Sequence, residues 1–238
     1  MPAKAVGGGY DFYGVRDYVP GEEFRRINWK ASARLRELLS NEYESERTTV
    51  TLIVVDQTVP FLLGGYVDYE VRLAASLARM LLQAGNKVGL LLHGAYRSWV
   101  YPSFGKRHMI KILENLSGSE VGPSTLPLDY VLERMASVLI PFRSSVMLLS
   151  PLLDEQPYRA ASRFFGKYEL LYFSPNFEAS FSTTRSAEVD LLVRSLNLQK
   201  REMVRRISGL ARVIEWNPSV PIKYLSIRPR RWRARILA

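Results

Sequence analysis

From Val50 onward the chain alternates short apolar runs with longer amphipathic ones. The runs Val50–Val55, Val88–Leu92, Trp99–Tyr101, Val146–Leu149, Glu169–Phe173 and Arg212–Trp216 read as strands. Most are apolar on both of the faces a period of two would present, the pattern of a sheet buried between helical layers. Between them, Asp68–Gln83, Lys106–Asn115, Leu128–Leu139, Gln156–Phe165 and Arg185–Ser208 carry helical spacing. In the third of these, Leu128, Val131, Leu132, Met135, Val138 and Leu139 form one stripe. Strand, helix and strand at these lengths predict right-handed crossovers and a doubly wound, mainly parallel α/β sheet. Ligands of such sheets sit at the carboxyl ends of the strands. The first strand lies in TLIVVDQTVP, Thr51 to Pro60, and places Asp56 at such an end.

Ahead of Val50 the pattern changes. Residues 1–15, MPAKAVGGGYDFYGV, hold three consecutive glycines and no periodicity, and read as a linker. The segment that follows, RDYVPGEEFRRINWKASARLRELLSNEYESER, is denser in charge. Pro20-Gly21 suits a turn with proline at the first central position and glycine at the second. Glu22 and Glu23 would then start a short helix, with Glu22 reaching Arg26 at the i, i+4 spacing. From Leu39 to Arg47 the alternation of Leu39, Asn41 and Tyr43 with Glu42, Glu44 and Glu46 predicts a strand with one acidic face. The expected organisation is a linker over 1–15, a charged segment over 16–49 packed on a sheet domain over 50–217, and a tail over 218–238.

With 238 residues, 47% of them hydrophobic, the chain can bury a sizeable core. Cysteine is absent and only His93 and His108 occur, which excludes a thiolate nucleophile and disulfides and argues against the usual zinc sites. That composition fits the cytoplasm, and no run reaches the eighteen or so apolar residues of a membrane span. The net charge of +10 is concentrated at one end. From Lys200 on there are eleven basic residues against two acidic ones, leaving 22 against 21 upstream. The extreme is the run holding Arg228, Arg230, Arg231, Trp232, Arg233 and Arg235. It could contact nucleic-acid phosphates or anionic lipid, or simply be a solvated tail. Neither a phosphate-binding G-x-x-x-x-G-K-[ST] nor a G-x-S-x-G elbow occurs. Asp17, Glu22 and Glu23 near Arg25, Arg26 and Arg34 read as ion pairs and turn hydrogen bonds, with Trp29 as a buried anchor. Enzymatic activity is not expected.

The stretch R-D-Y-x-x-G-E-E-x-R-R-I-N-W-K-x-S-A-R, which contains Arg16, Asp17, Tyr18, Gly21, Glu22, Arg26, Trp29 and Arg34, resembles the signature of proteins carrying "domain of unknown function 58". Those proteins are similar to von Willebrand factor type A domains over the part that here runs from about Val50 to Trp216. Members often carry two N-terminal membrane helices and a β-rich region ahead of the signature. The resemblance therefore implies either the cytoplasmic portion of a membrane-anchored protein or a soluble short member. It also implies a partner, a MoxR-type AAA+ ATPase, in complex assembly or protein maturation.

The type A site uses D-x-S-x-S after the first strand, a threonine from a later loop and an aspartate after the fourth strand, giving a hard divalent cation its oxygen ligands. Asp56 and Thr58 match, and Pro60 replaces the second hydroxyl. The loop threonine falls at Thr125, which reads equally well, with Ser124, as a helix N-cap before Leu126-Pro127. The second acid aligns with Pro151, which has no side-chain oxygen, and Asp154 lies three residues on. The expectation is a degenerate site without bound Mg²⁺. Partner contacts are expected around it, at Gln57, Val59, Leu152 and Asp154, with nucleic-acid or anionic-membrane binding by the basic tail as the alternative.

Overall fold

The computed structural model describes residues 11–44, 49–58, 64–176 and 187–217. Within it the chain divides into two compact units, Met1–Thr48 and Thr49–Ala238.

In the first unit, strand β1 (Asp11–Asp17) pairs antiparallel with β2 (Leu39–Glu44), from Asp11 opposite Glu44 to Asp17 opposite Leu39. Residues 11–15 are thus strand and not linker; the ladder offered by β2 outweighs the missing periodicity, and its register shifts between Phe12 and Gly14. Gly21 has φ +103° and Glu22 N–H donates to the Val19 carbonyl at 3.2 Å, the expected turn with glycine in its positive-φ position. The helix expected from Glu22 is instead split. A single 3-10 turn, Phe24–Arg26, stops where Ile27 bridges to Ser40, and α1 (Trp29–Leu35) restarts behind Asn28, whose Oδ1 accepts from Ala31 N–H at 2.9 Å. Glu22 pairs with Arg16 across the turn, and the side chain of Arg26 lies outside the described residues. Ser32 Oγ accepts Leu39 N–H at 2.9 Å, which ties α1 to β2. Ile27 and Leu39 supply the burial here, whereas Trp29 is 64% exposed. Trp29 is not the buried anchor expected, because as the first residue of α1 it stands on the open side of the turn that buries Ile27.

The second unit is a six-stranded sheet in the order β5-β4-β3-β6-β7-β8. Its strands are β3 (Val50–Asp56), β4 (Lys87–His93), β5 (Ser98–Ser103), β6 (Ser145–Leu149), β7 (Glu169–Pro175) and β8 (Arg212–Trp216). All neighbours are parallel except β4 and β5. Its helices are α2 (Gly64–Gln83), α3 (Lys106–Ser117), α4 (Leu128–Leu139), α5 (Gln156–Phe164) and α6 (Ala187–Ile207).

Side chains of successive strand residues go to opposite faces, and both faces are covered. Leu52, Val54, Val146 and Leu148 join Leu132, Ala161 and Ile207 of α4, α5 and α6. Ile53, Val55, Met147 and Leu149 join Leu73 and Leu77 of α2 and Ile112 of α3. This is the doubly wound, mainly parallel α/β arrangement the pattern predicts. In α4 the stripe holds except at Val138, which is 65% exposed, while Ala136 takes the buried place. None of the described helices is long and apolar enough to cross a membrane.

Candidate functional site

Parallel pairing brings the carboxyl ends of the central strands to one rim. Asp56 of β3 lies in register beside His93 of β4, and Ser150 follows β6 directly. Asp56 is 4% exposed and its carboxylate accepts three hydrogen bonds. Oδ1 takes Thr58 N–H at 3.2 Å and Thr58 Oγ1–H at 2.6 Å, and Oδ2 takes Ser150 Oγ–H at 2.9 Å. Burial nevertheless raises its pKa, against the lowering effect of those donors.

Behind Asp56 lies a second carboxyl. Glu70 of α2 is fully buried, and neither of its oxygens reaches a hydrogen-bond donor by distance and angle. Burial, and then the negative charge of Asp56, push its pKa well above the usual carboxylate range, while Tyr66 one turn earlier offsets part of the effect. His93 is also buried, and burial followed by the positive charge of Arg97 lowers its pKa to about 4, with Asp154 acting in the opposite direction. At the working pH of most proteins that imidazole is neutral.

The rim itself is a shallow hollow of about 330 Å³, whose lining includes Thr58, Ser124, Thr125, Asp154 and Gln156. Asp154 binds Gln156 twice, through its backbone N–H and its Nε2–H, both at 3.0 Å. Gln156 Oε1 in turn accepts Leu128 N–H at 2.6 Å, so a side chain of α5 caps α4. Ser124 and Thr125 are not the cap, since Pro127 occupies that position without a side-chain bond.

Of the described residues expected to meet a partner, only Asp154 is accessible. Gln57 is 1% exposed beneath Gly94, and Leu152 is fully buried in the core with φ +58°. Both are corrections: the chain turns back after each strand, and Leu152 is carried inward by its left-handed backbone. Val59 and the tail residues Arg228, Arg230, Arg231, Trp232, Arg233 and Arg235 lie outside the described residues.

Three participants carried no clear mark in the motif. Ser150 hides beside Pro151, and His93 ends β4 as Asp56 ends β3. Glu70 did leave a signal: it sits where Tyr66, Val67, Leu73, Ala74 and Leu77 trace an apolar stripe on α2. An acid in such a stripe marks a buried polar site.

Fold and rim together define a doubly wound α/β domain with an acid and hydroxyls gathered at its strand carboxyl ends. The chain belongs to the family described as "Protein of unknown function DUF58", which matches residues 14–173. It is 22% identical over 200 residues to "Uncharacterized protein YeaD" of Bacillus subtilis (strain 168), covering 84% of this chain and 48% of that protein. The chain thus spans about half the length of that relative. A solved structure, "Crystal Structure of the SpRpn10 VWA domain", is similar over 73% of this chain and 90% of its own, with 12% identity and a TM-score of 0.44. A likeness that distant adds nothing to what the strand order shows.

Proposed function

We propose that the chain is a non-enzymatic protein-interaction module whose rim, around Asp154 and Thr125, docks a MoxR-type AAA+ ATPase without a bridging metal ion. The observation that supports it most directly is the state of Asp56, both of whose oxygens are engaged by Thr58 and Ser150. A divalent cation needs oxygen ligands with free lone pairs on an open side. After its three bonds Asp56 keeps one lone pair, on Oδ2, and at 4% exposure it presents almost no open side to an ion. Pro151, where the second acid aligns, is buried and offers no side-chain oxygen.

The test is a pull-down of a cognate MoxR-type ATPase on the full chain. Equal capture in EDTA and in Mg²⁺ is expected, with capture reduced at least tenfold by the pair Asp154→Arg and Thr125→Arg. Deleting residues 227–238 should leave it intact. Loss of capture in EDTA, or on tail deletion, would overturn the reading.

The second reading, binding of nucleic acid or anionic membrane, is favoured by the charge split alone. It predicts affinity for duplex DNA falling steeply with salt, each neutralised phosphate adding about 0.9 to the logarithmic slope.

A further inference from the structure

The sheet ends on one side at β5. Val100 points into the core, while its neighbours Trp99 and Tyr101 are 46% and 58% exposed, and Phe104 just beyond is 64% exposed. A strand pairs on both sides only inside a sheet, so alternate N–H and C=O groups of β5 turn away from β4. Among the described residues, no backbone group of residues 99–103 bonds to anything but β4.

A hollow of about 500 Å³ runs along this edge, floored by β5 and walled by α3. The wall is fixed in place. His108 Nε2–H donates to the Val88 carbonyl at 2.6 Å, and Ser98 Oγ–H donates to Asn115 Oδ1 at 2.8 Å. That fixing presents Arg107 and Lys111 to the hollow, opposed there by Glu114 alone. Neither cation forms an ion pair with a described residue.

Natural sheets usually blunt an open edge. Here the device is Pro102, which has no N–H to offer and sits over Gly89, where an added Cβ would lie 2.9 Å from the proline ring. The usable edge is therefore Ser98–Tyr101. We infer that the β5 edge, with the α3 cations beside it, binds an extended acidic peptide segment by adding it to the sheet as a short strand. Main-chain bonds would hold it, its apolar positions would meet Trp99 and Tyr101, and its acids would meet Arg107 and Lys111. Charge complementarity selects this occupant over a second copy of the chain, because pairing two copies through this edge would bring like-charged walls together. The inference goes beyond the rim and holds whether or not an ATPase docks there.

The experiment is fluorescence anisotropy on the full chain with a labelled eight-residue peptide alternating valine and aspartate. Three comparisons accompany it: the same peptide with lysine for aspartate, the same peptide N-methylated at alternate amides, and the protein variant Arg107→Glu/Lys111→Glu. Both protein substitutions are at exposed positions. Binding of the acidic peptide is expected, weakened at least tenfold by each of the three changes. Binding that survives the double variant belongs to the basic tail and overturns the proposal. Binding that is lost in the double variant but indifferent to N-methylation overturns strand addition. No binding by the unaltered protein also overturns it, as does a dimer in sedimentation that the double variant converts to monomer. The ATPase pull-down reads the rim independently of every arm.

Discussion

Glu70 carries its carboxyl into the core beside Tyr66, where burial and the charge of Asp56 favour the protonated form more than that phenol opposes it. Its folded pKa lies above the unfolded value near 4.5, so the folded state holds a proton that the unfolded state has released. Raising the pH through that window therefore costs stability. Replacing Glu70 by Gln should raise stability at pH 8 by about 1–3 kcal/mol, the range for relieving a buried unsatisfied group, with little change at pH 4. Chemical melts across pH 4–9 would show it. A constant difference between the two proteins would refute it. His93 works in the other direction. Its folded pKa of about 4 lies below the unfolded 6.5, so its contribution is present above 6.5 and lost as the pH falls to 4. The loss amounts to at most about 3 kcal/mol at 1.36 kcal/mol per pKa unit. His93→Gln should flatten that acid limb and leave the alkaline one alone.

Among the elements, α4 and α5 are joined at the rim by the Gln156 amide and further along by Arg163, which pairs with Asp129 and Glu133. Gln156 caps Leu128 and holds Asp154, so Gln156→Ala should cost about 1–2 kcal/mol, a typical lost cap, and also loosen the rim. A thermal melt and amide exchange at Leu128 would report both. If exchange at Leu128 stays slow, the capping role is wrong. The bounds of α4 were readable because its stripe begins and ends cleanly at Leu128 and Leu139, and β8 was readable as Arg212–Trp216 between the Ser208-Gly209 break and Asn217-Pro218. The cap was not, because its donor and acceptor lie 28 residues apart and neither position is unusual locally. The same holds for Ser150 and Asp56, 94 residues apart. Local patterns gave the sheet, its helices and Asp56 at a strand end. They could not show that Leu152 turns inward, since only its backbone angle of +58° decides that. Likewise β1 was missed because its order comes from pairing with β2 and not from its own alternation.

At the scale of the whole chain the two units differ in what they can sustain alone. The first has one two-stranded ladder, and an isolated pair of strands is marginal in water. A peptide of residues 11–44 should show no cooperative melt by circular dichroism, whereas a fragment beginning at Thr49 should unfold in one transition. A folded 11–44 peptide would contradict this. The strand order of the larger unit also sets a clock on its synthesis. β3 finds its first neighbour, β4, within about forty residues, but its other neighbour, β6, begins at Ser145, 94 residues after the Thr51 it pairs with. At roughly 5–20 residues per second, β3 waits about 5–20 s on the ribosome with one apolar side unmatched. The centre of the finished sheet is thus the most exposed part of the nascent one, and a pause or truncation between residues 104 and 144 would release a three-stranded half-sheet open along β3.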